Sequence, residues 1–137
     1  MARDVFHNDV RVALQQEGWT ITHDPYFLKA GDLNMEVDLA AEKTIAAERG
    51  TEKILVEIKS FLSKSKLHDF YEAKGQYDTY RRGLAKNNEQ RKLYLAIDEE
   101  IYETFFQKTL IQETISEEKI YLLVFNHQTQ NIVKWID

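Results

Sequence analysis

A chain of 137 residues with 43% hydrophobic and 12% aromatic content can bury one core but not several, so a single domain spanning 1–137 is expected. The absence of cysteine excludes a disulfide framework and a thiolate metal site, and suits a reducing, cytoplasmic setting. A net charge of −5 argues against a non-specific nucleic-acid coat, no apolar run is long enough to cross a membrane, and Met1–His7 lacks the apolar region of a signal peptide.

The charge is unevenly placed. Residues 53–92 carry ten Lys/Arg and five Asp/Glu, a local balance of +5, against −10 for the remainder. A basic middle suits phosphate binding; a solvated helix with clustered charge is the alternative.

In chain order, Asp4 is placed to cap a first helix that runs to Gln16 or Glu17 and stops at Gly18. Phe6, Val10, Ala13, Leu14 and Glu17 form its stripe, which makes Glu17 either a frayed terminal residue or a site residue. Trp19–His23 alternates as a strand, and Asp24-Pro25 ends it. A second strand covers Leu33–Leu39, with Met35, Val37 and Leu39 on one face and Glu36 and Asp38 on the other. Ala40 to Glu52 has helical composition, but its position before the next strand favours the arm of a hairpin. A third strand covers Lys53–Phe61, with Ile54, Val56 and Ile58 opposite Leu55, Glu57 and Lys59.

A helix from Lys66 to Leu84 turns Leu67, Phe70, Tyr71, Tyr77 and Leu84 to one broad face, with Gln76 and Tyr80 four apart at its edge. Arg81, Arg82 and Gly83 close it. Leu93–Ile97 reads as a buried strand and Glu99–Phe106 as a short helix. Ile120–Phe125 and Ile132–Ile136 form a terminal hairpin. The order α-β-β-β-α-β, followed by α-β-β, describes an α/β sandwich with a mixed sheet flanked by helices.

Asp38 on one strand and Glu57-x-Lys59 on the next is an arrangement that can hold a hard divalent cation against a phosphate. The plain alternative is a solvated strand face with salt bridges. His7 beside the helix stripe reads as a packed, hydrogen-bonded histidine. Ser60, Ser63 and Ser65 have no visible His/Asp partners, and no glycine-rich phosphate loop is present, so neither a serine triad nor a nucleotide cofactor is expected.

Over roughly its first 97 residues, this order with Asp38 and Glu57-Ile58-Lys59 resembles the PD-(D/E)XK nuclease superfamily, whose fold is restriction-endonuclease-like. The resemblance implies that Asp38 and Glu57 bind Mg²⁺ or Mn²⁺ with the Ile58 carbonyl, and that Lys59 activates water. It further implies a first-helix glutamate, here Glu17, and a Gln-x-x-x-Tyr pair, here Gln76 and Tyr80. Val37-Asp38 replaces the usual Pro-Asp, and Glu36 competes with Asp38 as a ligand.

A narrower resemblance spans nearly the whole chain. Gly18-Trp19-Thr20-Ile21-Thr22-His23-Asp24-Pro25, Glu36-Val37-Asp38-Leu39-Ala40-Ala41-Glu42-Lys43 and Val56-Glu57-Ile58-Lys59-Ser60-Phe61 resemble XisH, the fdxN-element excision controlling factor family of cyanobacteria. This implies a role in excising a DNA element during heterocyst differentiation, beside a site-specific recombinase and an XisI-like companion protein.

Two functions follow as expectations. One is a metal-dependent endonuclease in which Lys64, Lys66, Lys74, Arg81 and Arg82 track DNA, as a homo-oligomer if both strands are cut. The other is a non-catalytic accessory that binds DNA or the recombinase. Tyr121, Phe125 and Trp135 are either interface anchors or ordinary core.

Overall fold

A computed structural model describes residues 3–46 and 50–137. The elements are α1 (His7–Gln16), β1 (Thr20–His23), β2 (Tyr26–Ala30), β3 (Leu33–Val37), β4 (Leu39–Ala46) and β5 (Gly50–Ile58). After these come α2 (Lys66–Lys86), β6 (Lys92–Asp98), α3 (Glu99–Glu103), a 3₁₀ turn (Phe105–Gln107), α4 (Thr109–Glu117), β7 (Tyr121–Asn126) and β8 (Asn131–Ile136).

Six strands form one mixed sheet in the order β1-β4-β5-β6-β7-β8. The β5–β6 and β6–β7 pairs are parallel and the others antiparallel. Parallel neighbours need crossovers. α2 supplies the first, and α3 with α4 the second.

The two faces of the sheet follow from alternation. Ile54, Val56 and Ile58 on β5 join Val10, Ala13 and Leu14 of α1 in one buried cluster. Leu55, Leu93, Leu95, Ile97, Leu122 and Val124 join Phe70, Tyr77, Leu84, Phe105 and Phe106 in the other. α1 therefore covers one face, and α2 with the 3₁₀ turn and α4 covers the other. Within the second layer the Tyr77 hydroxyl is buried but fully used. It donates to the Leu93 carbonyl at 2.8 Å and accepts from the Tyr121 amide at 3.1 Å, bridging β6 and β7.

The expected hairpin over Ala40–Glu52 is observed as β4 and β5, with Leu39 opposite Val56 and Thr44 opposite Thr51; its tip, residues 47–49, lies outside the described residues. Four expectations need correction. The strand expected over Leu33–Leu39 is two strands, because the chain bends at Asp38. β3 pairs with β2 in a separate two-stranded sheet, while β4 joins the main one. β2 itself went unread, so five strands precede α2 rather than three. The helix expected over Glu99–Phe106 stops at Glu103, and α4 follows it with Ile111 and Ile115 buried four apart. Finally, α1 begins at His7 rather than just after Asp4. Asp4 spends one carboxylate oxygen on the Phe6 amide and the other on the Ser60 amide at the exit of β5, each at 2.9 Å.

The β2–β3 hairpin lies on α2. Leu28 is buried against the helix, and an added Cβ at Gly83 would stand 3.0 Å from Met35, 3.3 Å from Ala30 and 3.4 Å from Leu28. Glycine at that position is what lets the hairpin approach so closely. The Tyr80 hydroxyl donates to the Glu36 carbonyl at 2.9 Å, and the Asn87 amide donates to the Lys29 carbonyl at 2.8 Å. Arg91 stacks 4.9 Å from the Tyr26 ring, whose hydroxyl donates to Glu89.

Candidate functional site

The bend at Asp38 creates the site. Were the β4–β5 ladder to continue past the Leu39–Val56 pair, Asp38 would stand opposite Glu57. Instead the chain turns away into β3, and the two carboxylates take over the backbone bonds that the ladder no longer makes. The Asp38 amide donates to Glu57 Oε1 at 3.2 Å, and the Ile58 amide donates to Asp38 Oδ2 at 2.8 Å. Two acids thus tie the end of β5 to the joint between the two sheets.

This arrangement is costly for negative charge. Glu57 is 7% exposed. Burial, and then the neighbouring Asp38 carboxylate, push its carboxyl up to about 9. Burial also raises Asp38, partly offset by the Ile58 amide that favours its charged form. At neutral pH the pair therefore retains a proton. Tyr80 is raised as well, by burial first and then by Glu57, Asp38 and Glu36. Its phenol stays neutral and serves as a hydrogen-bond donor.

Asp38 and Glu57 line a groove of about 570 Å³. Gln76 and Tyr80 of α2 form part of its wall, as the four-residue helical spacing requires. The opposite wall is the β2–β3 hairpin. Lys59 follows β5 toward α2, where its Nζ pairs with Glu72 at 2.9 Å. Among the described residues, no Lys or Arg forms an ion pair with Asp38 or Glu57, and no cluster of three or more His, Asp or Glu side chains is preformed for a metal.

Of the sequence-derived site residues, the structure brings together Asp38, Glu57 and Gln76, with Lys59 nearby. It does not bring Glu17 to them. Glu17 caps the far end of α1, is exposed, and accepts from the Trp135 indole at 3.3 Å. It lines a different cavity with Trp19, Lys43, Glu52, Tyr94 and Asp137. The reason is direction. Asp4 anchors the start of α1 beside the exit of β5, and ten helical residues at ~1.5 Å each carry Glu17 to the opposite end of the sheet. Glu36 faces the same groove on the hairpin side, directly across from Phe27.

His7 is packed as expected. It is buried and bonded through Nε2 to Asp24 at 2.8 Å, an acid that also pairs with Arg3 and Arg11. Sequence reading missed the buried Asp98, which caps α3 through the Glu100 amide and holds His127 through both its amide and Nδ1. It also missed the groove wall of Phe27, Lys29 and Asn34. The available signal was Gly31-Asp32, a two-residue turn between alternating segments.

Three comparisons bear on this chain. A family model described as XisH protein matches residues 1–133. An XisH family protein from Nostoc punctiforme PCC 73102, known from its crystal structure, is 39% identical, with a TM-score of 0.88 over 98% of this chain and 100% of that one. An fdxN element excision controlling factor protein from Anabaena variabilis is 40% identical, with a TM-score of 0.89 over the same shares. No curated protein matches significantly.

Proposed function

Because the chain belongs to the XisH protein family, we propose that it acts in controlled excision of a DNA element, and that Asp38 and Glu57 form a divalent-cation site for work on a phosphodiester. The observation that carries this reading is geometric: the half-buried Asp38 and the buried Glu57 are tied together by backbone amides in the wall of one groove, with Lys59 beside them paired to Glu72. A structural ion pair would place that lysine on the acids.

The donor set fits Mg²⁺, and also Mn²⁺. It consists of two carboxylates with the Ile58 carbonyl adjoining, all hard oxygens. When bound, the cation would stabilise negative charge on the phosphate and lower the pKa of a coordinated water. The chain supplies the rest. Glu57 would hold the cation as a carboxylate, giving up the proton that burial favours. Lys59 exchanges its partner easily, because an exposed ion pair contributes at most about 1 kcal/mol, and its Nζ then orients water or a phosphate oxygen. The Gln76 amide donates to a phosphate oxygen from α2.

A second reading has the same fold serve as a non-catalytic accessory that binds DNA, a site-specific recombinase or an XisI-like companion. One observation favours it. Lys74 is already paired with Asp78 and Glu118, and Arg81 donates to the Glu118 and Lys119 carbonyls. Fewer cations are left to follow a DNA backbone than the sequence suggests.

Supercoiled and branched DNA, incubated with Mg²⁺ or Mn²⁺ and with or without the companion, separates the two. Cleavage by the native chain, lost in Asp38→Ala and Lys59→Ala, supports the cation-site reading. No cleavage by a folded protein under any of these conditions supports the accessory role, and recombinase binding becomes the property to measure. Sedimentation of the DNA complex tests for a homo-oligomer.

A further inference from the structure

The outer face of the β2–β3 hairpin presents an exposed aromatic ring on a fixed element. Pairing places Phe27 opposite Glu36 and Lys29 opposite Asn34 on one face, while Leu28 and Met35 pack toward α2. All four outward residues line the groove that holds Asp38 and Glu57. Phe27 is 70% exposed, the most exposed aromatic side chain of the described chain. It is not on a loose arm, since the hairpin is fixed to α2 through Leu28, Tyr80, Asn87 and Arg91.

A rigid element that holds an aromatic ring out of its own core, beside a site for a phosphate, offers a stacking surface. The adjoining groups complete a set suited to one nucleotide: a ring for the face of a base, an Asn34 amide for its edge, and a Lys29 ammonium for a neighbouring phosphate. Glu36 discourages phosphate on the Phe27 side and leaves that position to the base. In a duplex the faces of bases are covered by stacking, so such a surface discriminates in favour of unpaired ones.

We infer that the β2–β3 hairpin, through Phe27, Lys29 and Asn34, binds an unpaired nucleotide next to the phosphate held at the Asp38–Glu57 pair. The substrate is then single-stranded or branched DNA rather than uniform duplex. This rests on the cation-site reading above.

The test uses the full chain with Ca²⁺, which takes carboxylate ligands, and oligonucleotides carrying 2-aminopurine in either a single strand or a duplex. The native protein is expected to bind the single strand more tightly and to quench its fluorescence by stacking. Phe27→Ala is expected to weaken single-strand binding about tenfold and abolish quenching, with duplex binding unchanged. Phe27→Trp is expected to restore both. Because the ring is exposed, melting temperature should be the same in all three proteins. Equal single-strand binding by the native chain and Phe27→Ala overturns this inference alone. Failure to bind any oligonucleotide overturns the cation-site reading and this inference together.

Discussion

At the scale of single residues, Glu57 and Lys59 make opposite predictions. Glu57 keeps a proton in the folded chain to about pH 9, whereas an unfolded glutamate releases it near 4.5. Between those values the folded state binds more protons than the unfolded one, so stability falls as pH rises from about 5 to 9. Glu57→Gln retains an acceptor for the Asp38 amide without the charge. It should raise stability at pH 8 by about 1–3 kcal/mol in the metal-free protein, and should flatten the pH dependence seen in urea melts. Added Mg²⁺ or Mn²⁺ should flatten it in the native chain only. Lys59→Ala removes a half-exposed ion pair and should change stability by about 1 kcal/mol or less while abolishing any cleavage. The shared face of Glu57 and Lys59 was legible in the sequence because alternation along β5 fixes it, whereas the bend that turns Asp38 onto the end of β5 was not. Glu17 was not, because a stripe on a helix gives the face but not the direction in which the helix is laid. That direction is set by the Asp4–Ser60 contact between residues 56 positions apart.

At the scale of elements, the docking of the β2–β3 hairpin depends on a helix position with no side chain. Gly83→Leu would place carbon where Met35, Ala30 and Leu28 already stand. Overpacking of this kind costs about 1–3 kcal/mol, and proteolysis should then open the chain within Tyr26–Val37 before the main sheet. Gly83 was read from the sequence only as a helix terminator. The helix continues to Lys86, and the residue serves close approach instead. The hairpin and α4 went unread for a common reason. Each is short, and each is stabilised by what it packs against rather than by its own composition. α2 and β5 were legible from their own helical and alternating patterns, whereas β4, helical in composition, was legible only from its position before β5.

At the scale of the whole molecule, two layers meet across a sheet whose order requires α2 and α3–α4 to lie on one side. Tyr77 is the clearest test of that layer. Tyr77→Phe leaves the Leu93 carbonyl and the Tyr121 amide without their buried partner and should destabilise the fold by about 1–3 kcal/mol, measured by chemical denaturation. Electrostatics gives a further expectation. Lys66, Lys74 and Arg81 already have partners within the chain, so DNA affinity should fall only gently with salt, with a log–log slope of about −2 to −3. A slope near −5 would mean that all five cations of the basic middle engage phosphate. The mixed sheet was legible from the order of elements, but the long-range part of the neutralisation of its basic helix was not, since Glu118 and the Lys119 carbonyl lie far from Lys74 and Arg81 in sequence.

The bend at Asp38 has one more consequence. The amide protons of Asp38 and Ile58 each point at one carboxylate of the pair. Each favours the charged form of the acid it touches, and so senses any change in that charge. Their nitrogen and proton resonances should move when the shared proton leaves, when a cation arrives, or when a bound phosphate shifts either acid. Two backbone signals would thus read the occupancy of the centre directly, in a protein that need not turn anything over to be observed.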